Sequence, residues 1–196
     1  MIDNSRFFKS LDKGDKLSEL GKYEDAIECY GEALQIKYDS DEAWYKRGKV
    51  FARLNKFEDA IGCYDVALVI NPNDCKIWNN RGIALAKLHR YQKASASFNK
   101  AITICPDWHE PWLHQGCAFA GLGKKTKALQ SVDRAIEIKP DYHEAWYYKG
   151  NMLANLGRTE EAIASYDQAV EINPNYSEAL LAQSYLAEGR AFKILK

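Results

Sequence analysis

The chain has 196 residues, 28% of them charged, and its 27 Lys and Arg balance 27 Asp and Glu. A formal charge of zero argues against bulk binding to nucleic acid or to a membrane surface, both of which need a basic excess. No apolar run approaches the roughly 18 residues of a membrane span, and the opening MIDNSRFFKSLDKGDK has no continuous apolar stretch of the secretory kind, so a cytoplasmic protein is expected.

The chain repeats itself. A first, looser copy covers residues 7–40, with Ser10 and Tyr38 where later copies have Trp and Pro. The second, 41–74, reads DEAWYKRGKVFARLNKFEDAIGCYDVALVINPND, and further copies occupy 75–108, 109–142 and 143–176. Gly14, Gly48, Gly82, Gly116 and Gly150 are 34 residues apart, as are Ala26, Ala60, Ala94, Ala128 and Ala162. Trp44, Trp78, Trp112 and Trp146 keep the same step, and so do Pro72, Pro106, Pro140 and Pro174. Columns held in phase at this period mark a repeat architecture.

Each copy encodes a helical hairpin. In the second, helix A is expected over 41–54, with Ala43, Trp44, Gly48, Phe51, Ala52 and Leu54 near a 3.6-residue period. It stops at a column reading Gly21, Asn55, His89, Gly123 and Gly157, the residue types that end helices in the left-handed conformation, with His89 the exception. Helix B begins near Glu58, carries Ala60, Ile61, Tyr64, Ala67, Leu68 and Ile70 on one face, and ends at Pro72. Gly48, Ala60 and Ala67 permit close helix approach, while Trp44, Phe51 and Tyr64 fill the volume, and the tryptophan column is expected in the core. After Pro174 the pattern restarts, so residues 177–188 read as one extra A helix that caps the last B helix. The apolar residues of the tail 189–196 could extend that cap, fray, or dock on another copy. The five cysteines form no Cys-x-x-Cys pair, and an odd count without a framework reads as reduced thiols.

A 34-residue unit with Trp, then Gly, Ala, an aromatic residue, Ala and Pro in these places resembles the tetratricopeptide repeat. The resemblance runs from about residue 7 to 188 and implies an all-α fold: one right-handed superhelical solenoid of antiparallel helix pairs over 1–196, with A helices on its concave side. It also implies a ligand groove on helix A. Carried onto this chain, the groove offers Tyr45, Lys46, Lys49 and Arg53 in the second repeat and Lys76, Asn79, Asn80 and Lys87 in the third. The fourth offers His114 beside Leu113 and Cys117, and the fifth Tyr147, Tyr148, Asn151 and Asn155, with Tyr142 from the preceding loop. The first repeat is acidic there, with Asp12, Asp15 and Glu19. The basic centre suits an acidic peptide segment, the tyrosines suit rigid contacts, and the asparagines suit a peptide backbone.

The resemblance also brings a specific clamp, used by some members on the C-terminal carboxylate of Hsp70/Hsp90. Its five polar places map here onto Tyr45, Lys49, Asn80, Glu110 and His114, of which only Asn80 fits, so that clamp is not expected. Chemistry is not encoded. His114 and Cys117 share a helix face, but two ligands are too few for zinc. No nucleophile, acid and base converge in the sequence, and no Gly-rich phosphate loop is present. No cofactor, no metal and no enzymatic activity are expected. The function expected is a protein-interaction scaffold. A self-assembling scaffold, joined through its first repeat or its tail, is the second reading. Single-stranded RNA binding is the third, and the zero net charge weighs against it.

Overall fold

In the computed structural model, which describes residues 4–187, eleven α-helices form and no strand appears among the described residues. The chain divides into two compact units, residues 1–104 and 105–196. The first contains α1 (Asn4–Glu19), α2 (Tyr23–Ile36), α3 (Asp41–Arg53), α4 (Phe57–Ile70), α5 (Cys75–Lys87) and α6 (Tyr91–Ile104). There α1 packs on α2, α3 on α4 and α5 on α6, and successive hairpins join through α2 with α3 and α4 with α5. The second contains α7 (His109–Gly121), α8 (Lys125–Ile138), α9 (His143–Ala154), α10 (Thr159–Ile172) and α11 (Ser177–Ala187). It pairs α7 with α8 and α9 with α10, and joins α8 to α9 and α10 to α11. Odd-numbered helices are thus A helices and even-numbered ones B helices. α11 is the extra A helix read from the sequence, and the tail 189–196 lies outside the described residues.

The A helices α1, α3, α5, α7 and α9 end by the same device. Asn55, at φ 58°, donates its N–H to the Ala52 carbonyl, and Lys56 donates to Phe51, five residues back, at 2.9 Å. This paired closure satisfies carbonyls that a helix end would otherwise leave bare. The same long bond recurs from Lys22, Arg90, Lys124 and Arg158. His89 occupies the column at φ 57°, a conformation that an L-residue with a bulky side chain adopts only under strain.

The hairpins close on small residues. A methyl group on Gly116 would stand 2.6 Å from Val132 Cγ2 and 3.0 Å from the Ala128 carbonyl oxygen, so only glycine lets α7 and α8 meet. Ala26, Ala60, Ala94, Ala128 and Ala162 are fully buried, and Tyr30, Tyr64, Phe98 and Tyr166 fill the interior beside them. The tryptophans correct the core expectation only in part: Trp44, Trp112 and Trp146 pack against the core without being fully buried in it. Trp44, Trp78, Trp112 and Trp146 are only partly buried, and each indole N–H donates to the carbonyl six residues earlier at 2.8–3.0 Å. An indole has one polar atom to satisfy, and here it fastens the loop that leads into helix A.

The cysteines need a second correction. Cys29, Cys63 and Cys117 are free thiols, whereas Cys75 and Cys105 are disulfide-bonded.

Candidate interaction face of the A helices

In the first unit, Asp15 on α1 organises the polar face of three helices. It accepts a hydrogen bond from the Tyr30 hydroxyl at 2.8 Å and another from Lys46 Nζ at 2.6 Å. Lys46 also pairs with Glu42 at 2.8 Å. Burial works against its charge, but these two carboxylates outweigh that and hold its pKa above the usual lysine range. Lys46 is therefore held by two ion pairs within the fold, where the sequence showed only a ligand group.

Lys49 and Arg53 differ from it. Both are exposed, one helical turn apart on α3. Lys49 Nζ stands 5.5 Å over the Tyr45 ring, and the Arg53 guanidinium 5.9 Å over Tyr23, with a long bond to the Ser18 carbonyl. Neither forms an ion pair with a carboxylate among the described residues. They line a cavity of about 210 Å³ with Lys46 of the same helix and with Asp15, Ser18 and Glu19 of α1. On α5, Lys76 and Lys87 are exposed, and Asn80 donates to the Tyr45 hydroxyl at 3.0 Å and to the Lys76 carbonyl at 2.9 Å. Asn79 is only 3% exposed and has no open side towards a ligand.

The second unit has a different face. Tyr147 on α9 is its hub, with ring centroids 5.4 Å from Tyr148, 5.3 Å from Tyr176 and 5.9 Å from Tyr166. The Tyr142 ring stacks edge-on against His109 at 4.5 Å. Asn151 is buried and accepts from the Tyr166 hydroxyl at 2.8 Å, so it serves the hairpin rather than the surface. Asn155 is exposed at the end of α9, where its carbonyl accepts from Lys125 Nζ. Burial pulls the His114 pKa down to about 4 and pushes the Cys117 thiol up to about 12, so both are neutral at physiological pH. Among the described residues no group of three or more His, Cys, Asp or Glu is placed to hold a metal, and no helix is long and apolar enough to cross a membrane.

One column escaped the sequence reading. The second residue of each A helix in this unit is a glutamate: Glu110, Glu144 and Glu178. Glu42 holds the same place on α3 of the first unit, where it pairs with Lys46. A second column changes character between the units. The residue before each A helix is Ser40 or Asp74 in the first unit, where its side chain caps the helix. In the second unit it is Trp108, Tyr142 or Tyr176, and Trp108 and Tyr142 make no side-chain cap bond.

Comparison with known proteins fixes the fold and leaves the ligand open. Three family descriptions, one "TPR repeat" and two "Tetratricopeptide repeat", match residues 14–55, 48–111 and 113–177. No curated protein matches the sequence. Among solved structures, MamA from Desulfovibrio magneticus RS-1 superposes with a TM-score of 0.81 at 18% identity, covering 87% of this chain and 97% of that one. YrrB, described as a TPR protein with an unusual peptide-binding site, gives 0.74 at 23%, covering 89% and 90%. PilF from Pseudomonas aeruginosa gives 0.81 at 19%, covering 95% and 85%. At such identities the likeness establishes architecture alone. With matching repeats spanning residues 14–177 and hairpins in the same phase, the chain belongs to the tetratricopeptide repeat family.

Proposed function

We propose that the chain is a non-enzymatic interaction module that holds a peptide or protein segment against its A helices. In the first unit the ligand is an acidic segment. The observation that carries this is the Lys49–Arg53 pair: two exposed cations on one turn of α3, without a carboxylate partner among the described residues, lining an open cavity. Each would form charge-assisted hydrogen bonds with a ligand carboxylate. Lys76, Lys87 and Asn80 extend the polar surface along α5, while Lys46 and Asn79 serve the scaffold. The peptide-binding site named for YrrB supports the general reading and says nothing of this ligand.

The test is fluorescence anisotropy with a capped, labelled peptide of alternating Glu and Gly. Wild type is expected to bind it, and Lys49→Gln/Arg53→Gln to lose at least tenfold in affinity with unchanged helicity. Equal binding by both proteins would remove this site.

A second reading, self-association, has one observation in its favour. α11 leaves Leu180 41% and Leu181 54% exposed at the end of the second unit. Light scattering over a range of concentrations should then show rising mass that Leu180→Glu abolishes, and a monomer throughout would dispose of it.

A further inference from the structure

The two units carry opposite chemistry on their A helices. We propose that the A-helix face of the second unit takes a basic peptide segment, seating an Arg or Lys side chain against Tyr147, Tyr148 and Tyr176 beside Glu144 and Glu178. This deepens the peptide-binding reading and rests on it.

The aromatic surface comes first. Tyr148 is 38% exposed despite a ring that packs edge-on against Tyr147, and Tyr147 in turn meets Tyr176 edge-on at 5.3 Å. Perpendicular rings present π faces in several directions, and such faces attract a cation. The fold already contains this contact, since Lys139 Nζ stands 5.3 Å over the Tyr142 ring. No such cation is recorded over Tyr147, Tyr148 or Tyr176 among the described residues.

The charge comes second. No Lys or Arg of the described residues pairs with Glu144 or Glu178. Among the described residues Glu144 pairs with the His143 ring, at 3.2 Å, and Glu178 accepts from the Ser177 hydroxyl. Glu144 lies one helical turn before Tyr148 on α9, and Glu178 two residues after Tyr176 at the start of α11. Burial is the main cause that lifts the Tyr148 hydroxyl to about 12; Cys117 and Tyr147 add to it, and Glu144 and Glu178 add less. The same two carboxylates raise Tyr176 further beyond its own burial. Aromatic faces with unneutralised carboxylates beside them complement a guanidinium or an ammonium and repel an acidic segment.

The helix ends supply an independent observation. The residue before each A helix caps it in the first unit through Ser40 and Asp74. In the second unit that position goes to aromatic residues, and Tyr142 makes no cap bond there. A missing cap lowers stability, and the rings Tyr142 and Tyr176 stand where the cap would be. Stability given up in one column of one unit points to a surface shaped by something other than folding.

Anisotropy with a capped, labelled peptide of alternating Arg and Gly tests the assignment on the full chain, beside the Glu–Gly peptide used above. Wild type is expected to bind the Arg–Gly peptide. Glu144→Gln/Glu178→Gln should weaken that binding at least fivefold, and Tyr148→Ala similarly, while Tyr148→Phe, which keeps the ring, should bind as wild type. None of these changes should alter binding of the Glu–Gly peptide. If the Arg–Gly peptide fails to bind, or binds all variants alike, while the Glu–Gly peptide still needs Lys49 and Arg53, the inference is overturned and the first-unit site stands. If neither peptide binds, both fall.

Discussion

His89 and His114 show what single residues contribute to this fold. His89 sits at φ 57° in a column that elsewhere holds glycine or Asn55. The left-handed conformation costs a side-chain-bearing residue about 1–2 kcal/mol, of which glycine's greater freedom in the unfolded chain returns about 0.5–1 kcal/mol. His89→Gly should therefore stabilise the protein by about 0.5–1 kcal/mol in urea denaturation, and Asn55→Gly by less, because asparagine tolerates the conformation. His114 controls a pH dependence. Burial holds it neutral to about pH 4 in the folded state, whereas the unfolded chain protonates near 6.5. The unfolded state thus binds the extra proton, so this stability is complete above pH 6.5 and is lost as pH falls through 4. Between pH 7 and 4, wild type should lose about 3 kcal/mol more than His114→Gln. Parallel pH profiles of the two proteins would contradict the burial argument.

At the scale of the element, the hairpin was legible because each of its parts has a local cause. The Gly, Asn or His column ends helix A, the prolines end helix B, and the alanine columns give the contact face. The helix starts Asp41, Cys75, His109, His143 and Ser177 coincide with the repeat phase read from the sequence. What was not legible depends on partners in space. Lys46 looked like its neighbour Lys49 in sequence, yet Asp15, 31 residues earlier, claims it. Asn151 looked like a ligand for a peptide backbone, yet the Tyr166 hydroxyl engages it. The tryptophans looked like core and pack against it at Trp44, Trp112 and Trp146, but their second role as loop fasteners was not legible, because a hydrophobicity pattern carries no information about the indole nitrogen. Two element-scale changes follow. Asp74→Ala removes the acceptor of the Lys76 and Ile77 amides at 2.8 and 3.2 Å and should cost about 1 kcal/mol. Gly116→Ala forces a methyl group against Val132 and the Ala128 carbonyl and should cost about 1–3 kcal/mol. Thermal or urea denaturation measures both, and a neutral Gly116→Ala would refute the close-approach reading of that column.

For the whole molecule, fold and function were legible to different degrees. The fold follows from a repeated local pattern and matches 437 solved chains, so it says little about the ligand. The face that selects a ligand is set mainly by columns that do not repeat faithfully: Lys49 and Arg53 in one unit, Tyr148 in the other. Those departures from the repeat are where this chain differs from a generic member. The central claim is that the A helices present the binding face. Amide NMR of the 22.3 kDa chain, titrated with the capped Glu–Gly peptide, tests it most directly. The account expects shifts concentrated on α1 and α3 around Asp15, Ser18, Lys49 and Arg53, with the B helices α2 and α4 unmoved on their outer faces. Shifts centred on those outer faces, or none at saturating peptide, would contradict it.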